Sequence, residues 1–154
     1  MKGNTELIAT LNDLLAEELT AINQYMVHAE MCESWGYTRL HAAVRQRAIV
    51  EMRHAEALIS RILFLDGMPN VGELRQLHIG GDVRTQIAND LAAERSGVEA
   101  YNDAIALAMK VRDNVTRELL QGILKDEDLH VDELERYHDQ IEQMGYQTFL
   151  STLL

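Results

Sequence analysis

Four segments of about thirty residues each carry apolar side chains at a helical spacing, and together they occupy most of the chain. The first runs from about Thr5 to Ser34, with Leu7, Leu11, Leu15, Ile22, Tyr25 and Ala29 on one stripe. The second, about Thr38 to Asp66, carries Val44, Ala48, Ala55, Leu58 and Ile62. The third, about Asp82 to Val111, carries Ile87, Leu91, Val98, Tyr101, Ile105 and Ala108. The fourth, about Asn114 to Met144, carries Leu119, Leu120, Ile123, Leu134, Tyr137 and Ile141. Amphipathic helices of this length must cover their stripes, and four of them can do so against one another. Asn4 or Thr5 can cap the first and Asp82 the third, while Ser34–Tyr37, Asp66–Asn70 and Gly145 interrupt the period. One proline and nine glycines in 154 residues leave little material for a turn-rich β-sandwich or barrel.

The connections set the topology. Short joins after the first and third segments predict two antiparallel helix pairs. The middle connection is about 16 residues and holds Gly67, Gly72, Gly80 and Gly81. Extended, it reaches about 50 Å, further than a 29-residue helix at about 1.5 Å per residue, so it is expected to cross the full length of the bundle. The fold class expected is all-α: a ferritin-like four-helix bundle with one long crossover and a short fifth helix, in a single domain over residues 1–154. That fifth helix is predicted over residues 146–154, where Tyr146, Phe149, Leu150, Leu153 and Leu154 share one side. Nine residues are too few for a helix that stands alone in water, so it must dock.

Chemistry enters through a spacing. Three of the six histidines follow a glutamate by three: Glu51/His54, Glu127/His130 and Glu135/His138. Glu51 lies 33 residues after Glu18, and Glu127 lies 33 after Glu94. The set repeats with an offset of 76, from Glu18 to Glu94, Glu51 to Glu127 and His54 to His130; Tyr25 and Tyr101 share that offset. Glu135 has Asn102 where a partner would stand, so Glu135/His138 reads as a solvated i,i+3 contact. Glu18, Glu51, His54, Glu94, Glu127 and His130 fall within the apolar stripes and point into the bundle. Four buried, unpaired carboxylates would cost several kcal/mol each, and two divalent cations would balance them. One Glu from each of two helices plus Glu-x-x-His from the other two is the ligand set of ferritin-like di-metal proteins, and carboxylate with imidazole suits Fe or Mn, with Zn as competitor. Tyr25 and Tyr101 sit two turns from their own glutamates, placed to orient a carboxylate on another helix.

Met52 points away from the interior of its helix, as does Ile49, and Leu19 and Met26 form an apolar shoulder on the first helix. An outward apolar face of this kind marks a partner surface, which spacing alone reads as a plain subunit interface with Met as gap filler. His28, His41 and His78 lack acidic partners at ligand spacing and are expected in surface or loop positions. Cys32 reads as an inert thiol and Trp35-Gly36 as a turn with an anchoring aromatic.

At these residues the chain resembles the bacterioferritins nearly end to end. The shared segments are Met1-Lys2-Gly3, Glu18-Leu19-Thr20-Ala21-Ile22-Asn23-Gln24-Tyr25, Glu51-Met52-Arg53-His54-Ala55, Arg61-Ile62-Leu63-Phe64-Leu65 and Glu127-Asp128-Leu129-His130. Met52 between Glu51 and His54 is the mark that separates that family from haem-free ferritins. The resemblance implies iron storage: a hollow homo-oligomeric cage of 24 subunits that oxidises Fe(II) with O2 or peroxide at a di-iron ferroxidase centre and holds ferric mineral. It implies that Glu18, Glu51 and His54 serve one iron and Glu94, Glu127 and His130 the other, with Glu51 and Glu127 bridging. It also implies haem b held by Met52 from two subunits, with Leu19, Ile22, Asn23, Met26 and Ile49 around it, and a ferredoxin-type reductant. The fifth helix would line channels in the shell. Gln46 and Val50 stand where some members carry a histidine and an acidic residue, which argues against an accessory iron site on the inner surface. Arg45 stands where an aromatic residue often flanks the haem.

Charge narrows the alternatives. Fourteen Lys and Arg against 25 Asp and Glu give -11, which suits cations and disfavours nucleic acid, including the DNA-binding role of mini-ferritins. A rubrerythrin-like peroxidase needs a four-cysteine rubredoxin centre, and there is one cysteine. A haem-binding electron-transfer cage with a vestigial metal site is the other alternative, against which the six-residue set is complete. The opening residues do not read as a signal peptide and no apolar run approaches a membrane span, so the expected location is the cytoplasm, with no membrane partner.

Overall fold

The computed structural model describes residues 1–154. It contains five helices and no strand: α1 Thr5–Ser34, α2 Thr38–Phe64, α3 Val83–Lys110, α4 Asn114–Met144 and α5 Tyr146–Ser151. Each long helix starts or stops for a local reason. The Asn4 side chain accepts from Leu7 N, Asp82 from Thr85 N and Asp113 from Thr116 N, which satisfies amide groups that a helix start leaves open. The α1–α2 turn passes through Gly36 at φ 84, a left-handed conformation that glycine adopts without strain. Asp66 at φ 59 stops α2 two residues before the expected end, and Arg112 at φ 63 turns the chain from α3 into α4.

Residues 65–82 run alongside α1 as the crossover. The amide of Asn70 donates to Asn12 Oδ1 at 2.7 Å, Arg75 to Thr20 Oγ1 at 2.8 Å, His78 to Gln24 Oε1 at 3.1 Å and Gly80 to His28 Nε2 at 3.0 Å. Those four anchors lie along about 24 Å of α1 at about 1.5 Å rise per residue. The crossover thus keeps the direction of α1, and α3 starts at the far end and returns antiparallel to it. Gly80 is required where the crossover meets α3, because a Cβ there would lie 2.5 Å from the Gln86 backbone nitrogen.

The interior divides into two apolar clusters. One gathers Tyr25, Ala29, Ala48, Leu91 and Leu134, and the other Leu15, Ala55, Leu58, Tyr101 and Ile123. Each long helix passes from one cluster to the other, and in each the crossing point is a glutamate or a Glu-x-x-His pair.

The tail departs from its expected length. Helix α5 spans only Tyr146–Ser151, and the remainder turns so that Leu153 O accepts from Arg39 N at 3.0 Å. That bond and the burial of Phe149 and Leu153 against the end of the bundle outweigh a further half-turn of helix, which would point Leu153 elsewhere.

Candidate metal centre

Glu18 on α1, Glu51 and His54 on α2, Glu94 on α3 and Glu127 and His130 on α4 meet in the polar layer between the two clusters, none more than 9% exposed. Their ligand atoms form two overlapping groups, Glu18–Glu51–His54–Glu127 and Glu51–Glu94–Glu127–His130, and within each group they lie within 4.8 Å of one another. Glu51 and Glu127 belong to both, the position a bridging carboxylate occupies. His54 Nδ1 stands 3.1 Å from Glu127 Oε1 and 3.7 Å from Glu18 and Glu51; His130 Nδ1 stands 3.1 Å from Glu51 Oε1 and 3.3 Å from Glu94 Oε1.

The hydrogen bonds around this cluster follow a rule. Tyr101 donates to Glu18 Oε1 at 2.5 Å and Tyr25 to Glu94 Oε1 at 2.6 Å, each across helices. The opposite oxygens, Glu18 Oε2 and Glu94 Oε2, have no partner, and Glu51 Oε1, Glu127 Oε1, His54 Nδ1 and His130 Nδ1 meet one another at 3.1 Å without the alignment of a hydrogen bond. Each of the six residues therefore carries one buried ligand atom without a well-formed hydrogen bond. Buried polar atoms in that condition are costly, and six of them in one cluster fit a pair of cations.

Without cations the cluster holds protons instead. Burial first, and then repulsion from Glu51, raises the Glu18 carboxyl well above the usual range. Burial, with hydrogen bonding to Glu94, pushes Glu127 up to about 12. Burial also acts on Glu51, but the neighbouring Glu18 carboxyl and the His130 and His54 imidazoles outweigh it and hold that carboxyl low. The imidazole of His130 is pushed up to about 9, because the carboxylates of Glu51 and Glu94 overcome the cost of burying its charge.

A cavity of about 370 Å3 leads to this layer between α1, α3 and the crossover. Glu17, Arg75, Gln76, His78 and Asn89 line it together with Glu18, Glu94 and both tyrosines. On the opposite side, between α2 and α4, His54 Nε2 meets Asp126 Oδ2 at 2.8 Å.

Several other sequence expectations need correction. His28 is not a surface histidine: it is fully buried, bonded to Asp90 at 2.9 Å and accepting from Gly80 N. Its acidic partner comes from α3, 62 residues away, beyond the reach of any local spacing. Glu135 and His138 do not pair; Glu135 bonds Arg95 across α3 and α4 at 2.8 Å, since the arginine fork reaches it with better geometry. Trp35, 39% exposed, packs edge-on against Tyr37 at the turn, and Tyr37 in turn packs against the core. Three functional residues carried no readable signal: Asp90, Arg47 and Asp126. Arg47 is buried, bonds Asp90 Oδ2 at 3.1 Å and lies 4.9 Å over the Tyr25 ring. The offset of 76 that relates the ligands gives Leu14 for Asp90, Ile123 for Arg47 and Val50 for Asp126, so the internal repeat is blind to all three.

The outward face of α1 and α2 holds the remaining predicted residues. Met52 is 47% exposed and Met26 54%, Asn23 is exposed, and Leu19, Ile22 and Ile49 are half-buried beside them. No helix is long and apolar enough to cross a membrane.

The ferritin-like domain family matches residues 8–144. The chain is 40% identical over 149 residues to the bacterioferritin of Mycolicibacterium paratuberculosis, covering 97% of this chain and 94% of that protein. It is 38% identical to bacterioferritin BfrA of Mycobacterium tuberculosis, with the same coverage. The bacterioferritin of Rhodobacter capsulatus is 39% identical, over 97% of this chain and 92% of that protein.

Proposed function

Because this chain belongs to the bacterioferritins, iron-storage proteins of the ferritin-like domain family, we propose that it is a ferroxidase that loads iron into a hollow cage. The whole chain, residues 1–154, acts as one ferritin-like domain, and 24 copies enclose the mineral. Two Fe(II) ions are the substrate. One is held by Glu18, Glu51 and His54, the other by Glu94, Glu127 and His130, with Glu51 and Glu127 shared between them. Each Fe(II) gives up one electron, and the pair of electrons, with two protons, reduces O2 to peroxide or peroxide to water.

The chain's own contribution is positional and electrostatic. Tyr101 and Tyr25 fix the outer glutamates by one oxygen each and leave the other, buried and unpartnered, free for a cation. The cavity beside the crossover gives ions and oxidant a path from the surface to the cluster. The net charge of -11 draws cations to the protein. The observation that carries the assignment is the pair of overlapping ligand groups, six buried residues in all, whose ligand atoms lie within 4.8 Å of one another in each group.

Haem fits the outward face of α1 and α2. A thioether exposed to 47% at Met52, flanked by Leu19, Ile22, Asn23, Met26 and Ile49, is an apolar surface with a soft ligand at its centre. Met52 from two subunits would hold one haem b at a two-fold interface, and the bound haem would supply one-electron transfer, with a ferredoxin-type protein as reductant. The setting is the cytoplasm.

Stopped-flow oxidation of Fe(II) by the assembled protein tests the ferroxidase reading. Glu18→Ala and Glu94→Ala each remove one outer ligand, and each should slow the rapid phase by at least about tenfold while far-ultraviolet circular dichroism stays unchanged. Near-normal initial rates in both variants would overturn the assignment.

A further inference from the structure

The two halves of the cluster are built alike except at their histidines. Both outer glutamates are held by a tyrosine, but only one histidine is held from behind. His54 has Nδ1 toward Glu18, Glu51 and Glu127 and Nε2 on Asp126 at 2.8 Å. His130 has Nδ1 toward Glu51 and Glu94, while its Nε2 makes no hydrogen bond within the protein. The internal repeat supplies the reason. The offset of 76 that carries His54 onto His130 carries Val50 onto Asp126, so the equivalent position on α2 has no carboxylate to offer.

We infer that Asp126 is a positioning residue that makes the two metal sites unequal, the His54 site being held ready and the His130 site loose. This rests on reading the cluster as a metal centre. A neutral imidazole can carry its single proton on either nitrogen, and only the Nε2–H form leaves the Nδ1 lone pair free for a cation. A cation displaces the proton on Nδ1, and an acceptor behind Nε2 then holds the remaining proton and fixes the ring plane; partners of this kind are worth about 10- to 100-fold in metal affinity. For His54 that acceptor is present before any cation arrives. For His130 the cation itself must select the form and fix the ring, and the site binds more weakly by that factor. The asymmetry predicts stepwise filling, with the Glu18–His54 side first.

Co(II) alone is the probe, titrated without oxygen into the metal-free assembled protein and followed by its visible absorption. The wild type should take up two Co(II) per chain in two unequal steps. Asp126→Leu removes the acceptor at a side chain that is 47% exposed, so the bundle survives. It should weaken the tighter step by about tenfold or more, bringing it level with the other. Asp126→Asn, whose side-chain oxygen still accepts from Nε2–H, should keep the two steps apart. Val50→Asp should tighten the weaker step by supplying the missing acceptor. The inference is overturned if Asp126→Leu titrates like the wild type, if both steps weaken equally, or if Asp126→Asn behaves as Asp126→Leu does. A wild type that takes up no Co(II) would overturn the metal-centre reading itself, an outcome distinct from all of these.

Discussion

Glu18 and Glu94 each commit one carboxylate oxygen to a tyrosine on another helix and leave the other oxygen facing the interior. That division of labour within a single side chain is what would let a buried carboxyl serve as a ligand in the proposed centre. It also dictates how the metal-free protein responds to pH. His130 is more basic in the folded chain, at about 9, than its ordinary value of 6.5. Its contribution to stability is therefore complete below pH 6.5 and is lost as pH rises through about 9. Thermal unfolding of the metal-free protein should show Tm falling across that interval, with a shallower fall in His130→Ala. Cations must displace the same proton, so Co(II) affinity should rise over the same range. Glu135 and His138 form the contrast. They share the i,i+3 spacing of the true pairs, yet Glu135 faces Arg95 and His138 is exposed. Replacing either by alanine should leave the rapid phase of Fe(II) oxidation unchanged in stopped flow.

At the level of helices, the bundle is fastened by one side chain that the periodicity hides. Asp90 on α3 accepts from Gln24 and His28 on α1 and from Arg47 on α2. Gln24 and His28 in turn receive the crossover amides of His78 and Gly80. Three helices and the linker are thus tied at one carboxylate, beside the Tyr25 that holds Glu94. Asp90→Ala would strand the buried guanidinium of Arg47 without a counter-charge, a loss of about 3–5 kcal/mol. Urea denaturation of the metal-free protein measures it, and a change under 1 kcal/mol would contradict this role. The tail behaves as an element only through docking. Deleting residues from Tyr146 onward removes Phe149 and Leu153 from the cluster that holds Ile141, Leu40 and Val44. The truncated chain should unfold at lower urea concentration and yield smaller particles in size-exclusion chromatography.

The whole molecule is acidic, and exposed apolar side chains lie among its charges. Met26, Met52 and their neighbours on α1 and α2, with Leu74 and Leu77 on the crossover, are exposed apolar groups on a chain of net charge -11. A single copy cannot enclose a ligand at Met52, whereas an isologous pair sets each Met52 opposite its mate. Met52→Leu preserves volume and apolarity, so the assembly should persist at a cost below about 1.5 kcal/mol. Haem absorption should disappear, and Fe(II) oxidation should continue because Glu51 and His54 face the interior. Visible spectra and size-exclusion profiles of the purified variant check both statements. Retention of haem with an unaltered spectrum would leave Met52 as an ordinary interface residue.

Local rules made much of this protein legible before any coordinates. The four long helices follow from apolar spacing, their starts from Asn4 and Asp82, and the crossover from a linker too long for a hairpin. The candidate ligands are legible because they obey two regularities at once: i,i+3 pairing on a helix, and an internal offset of 76. What lies outside those regularities was decided by tertiary structure alone. Asp90, Arg47 and Asp126 map under the offset onto Leu14, Ile123 and Val50, so nothing in the chain distinguishes them from surface charges. Their partners arrive from helices 43 to 72 residues away. Partners 62 and 40 residues away likewise hid the bond of His28 to Asp90 and redirected Glu135 to Arg95. A helix periodicity states which way a side chain points, and only the packing of four helices states what it meets there.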